Sequence, residues 1–334
     1  MRALVTGGGG FLGSAISRRL QAVGYEVRIV QRSPAPELAG IGVECRRGDI
    51  ADPTVVMEAA HGCDIVFHTA AKAGVWGSAA EFHRANVTGT ENVLAACRAL
   101  QIPRLIYTSS PSVVYGGRDE AGIDESTPYP KRYLAHYPRT KAIAEQAVLA
   151  ANGPGLATVA LRPHLIWGPG DNHLVPRLLE RARTGRLRRV GRGDNLVDTV
   201  YVDNAAQAHL LAAERLRPGS PVCGKAYFIT NDEPVPLWKL IDRMLACGGL
   251  PPVKRSISAG AAYAAGALLE GLYAALGCRD EPPMTRFVAR QLSTAHWYNI
   301  SAAKRDLGYR PEVGVEEGLR RLRDWLQRTS GEPG

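Results

Sequence analysis

The chain carries six cysteines (Cys45, Cys63, Cys97, Cys223, Cys247 and Cys278), yet no two of them form a CxxC pair. Scattered thiols speak against a zinc site or a disulfide framework and for a reducing compartment, so no metal is expected. The opening stretch Met1-Arg-Ala-Leu-Val-Thr-Gly lacks the long apolar run of a signal peptide, and a cytoplasmic location is expected. Nucleic-acid binding finds no support either. The basic residues are not interleaved with aromatics, and no DNA-binding motif is present.

What is there fits a soluble globular protein. The chain has 334 residues, 45% hydrophobic and 22% charged, enough for one large α/β domain or two coupled ones. The net charge is +9, much of it in RLLERARTGRLRRVGR from Arg177 to Arg192. That stretch reads either as a solvated helix face and loop or as a surface that attracts an acidic substrate, a partner or a membrane.

Short apolar runs alternate with helical periodicity through the first half. Strands are expected at Arg2–Thr6, Glu26–Val30, Val43–Arg46, Ile65–Thr69, Arg104–Ser109 and Thr158–Arg162. Helices are expected at Phe11–Val23, Pro53–Ala60, Ala85–Leu100 and from about Tyr137 onward. Such alternation predicts an α/β fold with a doubly wound parallel sheet. The expected division is a Rossmann-type nucleotide-binding unit over 1–162, with 194–216 returning to it. A smaller, mainly helical substrate-binding part would take 163–193 and 217–334.

The glycines mark the binding end of that sheet. Thr6-Gly-Gly-Gly-Gly-Phe-Leu-Gly13 lies between the first strand and the first helix. Two frames fit, Gly8-x-Gly10-x-x-Gly13 and Gly7-x-x-Gly10-x-x-Gly13, and either lets backbone approach a pyrophosphate at a helix N-terminus. After the second strand the chain reads Val30-Gln31-Arg32-Ser33, where an NAD-binding site would carry an acid for the ribose 2′-hydroxyl. Arg32 can pair with a 2′-phosphate, so NADP is the expected cofactor. Asp49 is placed either to meet the adenine or to cap the helix that opens at Pro53.

Further along, HYPRTKAIAEQ sets Tyr137 four residues before Lys141 at a helix start, with Pro138 tolerated in the first turn. That spacing puts both side chains on one face. Geometry permits a site there without requiring one.

The ordered set TGGGGFLG, GDI (48–50), HTAAKAG (68–74), NVTGTENV (86–93), YTSSPSVVYG (107–116), YPRTK (137–141), LRPHLIWGPGD (161–171) and VDTVYVDNAAQA (197–208) resembles the extended short-chain dehydrogenase/reductase family. The stretch from Glu281 to Pro311 resembles its 3β-hydroxysteroid dehydrogenase-like branch. The resemblance implies that Tyr137 and Lys141 are a catalytic pair, the lysine lowering the phenol's pKa and holding the nicotinamide ribose. It implies that Ser110 orients the substrate carbonyl, with Ser109 and Ser112 as fallbacks. Asn86 would support a proton relay, unless it is a buried amide satisfying backbone. The cofactor would lie against Gly7, Gly10, Phe11, Leu12, Gly13, Arg32, Asp49, Ile50, Ala70, Ala71, Lys72, Tyr137, Lys141 and Pro163.

Within that branch, KAGVWGS, TKAIAEQAVLAAN, LATVALRP, LIWGPGD and LVPRLLERARTGRLR look most like the members that reduce 2-alkyl-3-oxo acids in bacterial long-chain olefin biosynthesis. Those members are expected to carry threonine where this chain has Ser110. The loop between Tyr115 and Tyr133 is less familiar and is expected to bear on substrate access. The implied substrate is a lipidic β-keto acid, which needs an apolar tunnel and a cation for its carboxylate. The implied associations are a homo-oligomer, assembly with other olefin-biosynthesis enzymes and contact with a membrane surface. The segment from Ile257 to Leu276 is expected foremost to be a buried or pocket-lining helix, and otherwise an interfacial helix, a partner surface or a span. His164 and Trp167 either line the pocket or pack. Other enzymes on the same scaffold, a sterol or 3β-hydroxysteroid dehydrogenase or a nucleotide-sugar epimerase, are the alternatives. An NADP-sensing module without catalysis is disfavoured because both Tyr137 and Lys141 are kept.

Overall fold

Runs such as Ala3-Leu-Val5 and Ile65-Val-Phe67 are wholly buried, as strands covered on both faces must be. In the computed structural model, which describes residues 1–331, they lie at the centre of a seven-stranded sheet. Its spatial order is Lys225–Ile229, Ala157–Pro163, Arg104–Thr108, Ile65–His68, Arg2–Thr6, Glu26–Gln31 and Glu44–Arg47. Every pairing in it is parallel. Helices Phe11–Ala22 and Val202–Arg215 pack together over one face. Pro53–Ala60, Gly89–Ala99 and His136–Ala150 cover the other. The strand order reverses direction between Arg2–Thr6 and Ile65–His68, and ligands of such sheets bind at the carboxyl ends beside that switch.

A second, four-stranded sheet runs Val235–Pro236, Leu196–Val197, His296–Tyr298 and Glu120–Ile123. A separate core grows around Trp167, Val190, Trp238, Ile241, Met244 and Leu322.

Several expectations need correction. The division at 217 put Lys225–Ile229 outside the first sheet, but this strand pairs with Ala157–Pro163 and forms its edge. Leu196–Val197, expected to return to the first unit, belongs to the second sheet. Only Val202–Arg215 returns, onto the helix after the glycine loop. The helix expected at Ala85–Leu100 starts at Ala79 and passes through a π-turn at Arg84–Thr88. The 115–133 loop contributes a strand to the second sheet, pairing with His296–Tyr298, and no lining residue of the cleft comes from it among the described residues. The apolar segment is a helix over Ala259–Ala275, but only Ala262 and Gly266 in it are buried, so it is not a buried helix. No helix among the described residues is long and apolar enough to cross a membrane.

Candidate active site

A cleft of about 1070 Å³ opens along the carboxyl ends of the first sheet. Gly7, Gly10, Phe11, Leu12 and Gly13 form its floor at the first strand–helix turn. Gly7 has φ +68°, and a Cβ on Gly13 would stand 2.2 Å from the Gly7 carbonyl oxygen. Gly8 turns the other way, where a Cβ would collide with Ile29 at 2.2 Å, so Gly7-x-x-Gly10-x-x-Gly13 is the frame that faces the cleft. Helix Phe11–Ala22 starts with no side-chain cap and no acid in its first turn. Its free N–H groups and positive dipole end suit a pyrophosphate. The residues here fit a dinucleotide.

At the far end the cleft is lined by Gln31, Arg32, Asp49 and Ile50. The Gln31 amide oxygen accepts from the Gly9 N–H, and its nitrogen donates to the Ser33 carbonyl at 2.7 Å. Gln31 thus braces the glycine loop from the position where an acid was missing. Arg32 is exposed and has no carboxylate partner among the described residues. Asp49 does not cap the helix at Pro53; Asp52 does, accepting from the Thr54 N–H at 2.9 Å. Asp49 instead accepts from the Arg84 guanidinium at 2.8 Å. Burial raises its carboxyl, but the Ala51 N–H, Arg84 and Arg32 outweigh that and leave the net value lowered.

Along one wall run Ser109, Ser110, Ser112, Tyr137 and Lys141. Tyr137 is the second residue of His136–Ala150, and Lys141 follows one turn later on the same face. Burial pushes the Tyr137 phenol up, and the Ser110 hydroxyl draws it partly back. Lys141 is 2% exposed and donates to the Thr108 carbonyl at 2.6 Å, its ammonium 4.1 Å from the Tyr107 ring centroid. Burial lowers its pKa to about 7, with Glu145 opposing. The expected lowering of the phenol by Lys141 is therefore not present in this arrangement. Ser110 shares a hydrogen bond of 2.9 Å with the Ser112 hydroxyl. Ser109 is buried, and its hydroxyl has no partner among the described residues.

Asn86 is 1% exposed and stands behind the wall. Its oxygen accepts from the Lys72 N–H at 2.7 Å, while its nitrogen donates to the Lys72 carbonyl at 3.2 Å and to Thr140 at 3.0 Å. That is the backbone-satisfying alternative, a clamp between the Ala70-Ala71-Lys72 loop, which lines the cleft, and the helix of Tyr137.

Sequence reasoning missed a buried ion pair. The Arg162 guanidinium donates to both oxygens of Glu145, at 2.9 and 2.6 Å, with the residues 3% and 0% exposed in their side chains. It fastens the helix of Tyr137 to the strand leading to Pro163, itself a lining residue. Glu145 lies four residues beyond Lys141 on the same helix face, and that spacing was the available signal.

The two aromatic candidates part company. His164 lines the cleft and packs edge-on against His296 and Tyr298, each at 5.0 Å between centroids. Trp167 is fully buried, donates to Thr199 at 3.0 Å and packs on Tyr201. Phe287 and Gln291 join the lining from helix Arg286–Ser293, which the sequence did not suggest. Among the described residues no cluster of His, Cys, Asp and Glu could hold a metal ion.

Residues 4–257 match the model of the 3-beta hydroxysteroid dehydrogenase/isomerase family. The chain is 57% identical over 97% of its length to a Stenotrophomonas maltophilia protein named 2-alkyl-3-oxoalkanoate reductase, covering 98% of that protein. A Shewanella oneidensis protein of the same name is 54% identical over 96% of this chain and 85% of its own length. Among solved structures, MoeE5 in complex with UDP-glucose and NAD superposes with a TM-score of 0.77 at 25% identity, covering 99% of this chain and all of that one. The chain belongs to the 3-beta hydroxysteroid dehydrogenase/isomerase family.

Proposed function

We propose that this oxidoreductase reduces the 3-oxo group of a long-chain 2-alkyl-3-oxoalkanoic acid to the 3-hydroxy acid, reversibly and with NADPH. The observation that carries the reading is the near-full-length identity of 57% to a protein of that name. The wall of Tyr137, Lys141 and Ser110 supplies what the chemistry needs.

Bound along the glycine loop and the Tyr137 wall, NADPH would supply the hydride to C3. Ser110 donates to the carbonyl oxygen and fixes its direction. Tyr137 gives its proton to that oxygen as negative charge develops there, and takes it back in the reverse direction. Lys141 would hold the nicotinamide ribose, and a turn of its ammonium from the Thr108 carbonyl toward Tyr137 would let it steady the phenolate. Asn86 positions the Tyr137 helix through Thr140. The preference for NADPH rests on Arg32, whose guanidinium suits a 2′-phosphate. A β-keto acid loses carbon dioxide because its carbonyl accepts the electron pair, and reduction removes that acceptor. The place in long-chain olefin biosynthesis, the assembly with its other enzymes and a homo-oligomeric state belong to the same proposal. So does the division of labour between the first sheet with its glycine loop and the second core as substrate-binding part.

The family model favours one competing reading, a 3β-hydroxysteroid dehydrogenase. A stable synthetic 2-alkyl-3-hydroxy acid and a 3β-hydroxysterol, each offered with NADP⁺, separate the two by absorbance of the reduced cofactor. Turnover of the acid is expected; turnover of the sterol with none of the acid overturns the proposal.

A further inference from the structure

Among the described residues, the Ser109 hydroxyl and His164 Nδ1 are the buried side-chain atoms of the cleft lining that have no hydrogen-bond partner. Ser109 belongs to the wall of Tyr137 and Lys141. His164 stands where the two sheets meet. It follows the strand Ala157–Pro163, and its ring packs edge-on against His296 and Tyr298 of the second sheet. It is 6% exposed. His296 is turned elsewhere, its Nε2–H donated to the Gln291 carbonyl at 2.7 Å. A buried polar atom left unmet costs free energy, and a ligand atom would satisfy it. The next residue, Leu165, also lines the cleft and has φ +43°, a left-handed conformation that a side chain with a Cβ rarely adopts. Strain of this kind collects at ligand sites, where the surrounding structure holds it.

The place suits a 3-oxo acid. Thr108 pairs with Leu161, so Ser110 and His164 leave neighbouring strand ends, and such strands lie about 4.8 Å apart. In the acid, one carbon separates the carbonyl to be reduced from the carboxylate. A carbonyl oxygen held by Ser110 therefore brings the carboxylate within reach of the next strand end. The cations of the cleft are engaged elsewhere. Lys72 pairs with Glu81 at 3.1 Å, Arg84 with Asp49 at 2.8 Å, and Lys141 donates to the Thr108 carbonyl at 2.6 Å. Arg32 stands at the far end with Gln31 and Asp49. His173 lines the cleft but is exposed, where water competes for an anion.

We propose that His164 receives the substrate carboxylate and so selects 3-oxo acids over the matching esters and ketones. The inference deepens the proposed reaction and rests on it. Burial, and then His296, hold the imidazole well below its usual pKa, with the Asp198 backbone opposing, so the ring is neutral before substrate arrives. A neutral imidazole has one N–H to give, and a carboxylate oxygen is its strongest acceptor. The uncharged carbonyl of an ester accepts more weakly. Tyr298 and Gln291, which line the cleft beside it, leave room for the alkyl chains against Phe287.

Calorimetric titration of the NADPH-loaded full chain tests this, with a 2-alkyl-3-hydroxy acid and its methyl ester as probes. Neither probe can be reduced, so the titration reads binding alone. The parent should bind the acid roughly tenfold to hundredfold more tightly than the ester, the range for a hydrogen bond to a charged group. In His164→Phe that preference should fall toward one. His164→Asn, whose amide nitrogen falls near Nδ1, should keep part of it. Titration with NADPH, expected to match the parent, shows that both variants fold. A parent that binds acid and ester alike overturns the inference, as does a preference that persists in His164→Phe. Equal losses on both probes in both variants would mark His164 as packing only and overturn it too. Turnover separates this from the reaction itself. A parent that oxidises the acid with NADP⁺ but shows no preference in binding overturns the inference and leaves the reaction standing, whereas turnover of the sterol alone overturns both.

Discussion

Lys141 and Thr108 are joined by a 2.6 Å hydrogen bond from the buried ammonium to the strand-end carbonyl oxygen. The bond anchors the helix of Tyr137 to the strand that ends beside Ser109 and Ser110. Burial holds the Tyr137 phenol up, with the Ser110 hydroxyl opposing. Lys141 has its own response to pH. Its folded value of about 7 lies below the ordinary 10.5, so the unfolded chain binds more protons between those values. Stability from this group therefore rises with pH across that window and is lost again as pH falls toward 7. Lys141→Met should flatten the rise by up to about 1.4 kcal/mol per pH unit, measured by urea unfolding at two pH values inside the window. Equal slopes in parent and variant would show that the ammonium is not buried.

Tyr137→Phe should bind NADPH as the parent does and lose about 10²–10⁴-fold in kcat, the range for proton transfer by a positioned side chain. Fluorescence titration and steady-state rates separate the two effects. A near-parental rate would remove Tyr137 from the chemistry.

Arg32→Ala should weaken NADPH far more than NADH. Charge-assisted hydrogen bonds to phosphate contribute about 1.5–3 kcal/mol, or roughly a tenfold to hundredfold difference between the two cofactors. An equal loss for both would mean that Arg32 packs on the adenosine without touching a 2′-phosphate.

Glu145→Gln leaves the Arg162 charge buried without its counter-ion. A loss of about 3–5 kcal/mol is expected by denaturant unfolding, and Arg162→Met added to it should recover part of that loss. Additive losses in the double variant would show that the two side chains act independently.

The parallel sheet was legible because strands buried on both faces read as apolar runs, and the glycine loop because only glycine tolerates its close contacts. Lys225–Ile229 escaped because a short edge strand after a long excursion carries no local sign of its distant partner. The π-turn at Arg84–Thr88 has no side-chain signature, so the helix start was misplaced. The pairing of Arg162 with Glu145 escaped because a sequence does not show that two ions share one buried space. The acceptor of Lys141 escaped as well, since a backbone carbonyl is present at every residue. The alanine- and glycine-rich composition of Ala259–Ala275 hides which side packs, because small apolar residues suit a buried and an exposed face alike. At the cofactor end, the missing acid after the second strand was legible, while the brace from Gln31 to Gly9 depended on the turn itself.

The strand order also dictates how the chain is assembled as it leaves the ribosome. Arg2–Thr6 is made first and sits centrally; the next two strands extend the sheet to one side and the remaining four to the other. Each newcomer finds its neighbour already synthesised. Ala157–Pro163, buried at all seven positions in the finished protein, is the open flank until Lys225–Ile229 emerges more than sixty residues later. An unpaired apolar flank is a template for association with other chains. During that interval the nascent protein depends on chaperones or on speed of synthesis, and any fragment ending before Ile229 inherits the same hazard permanently.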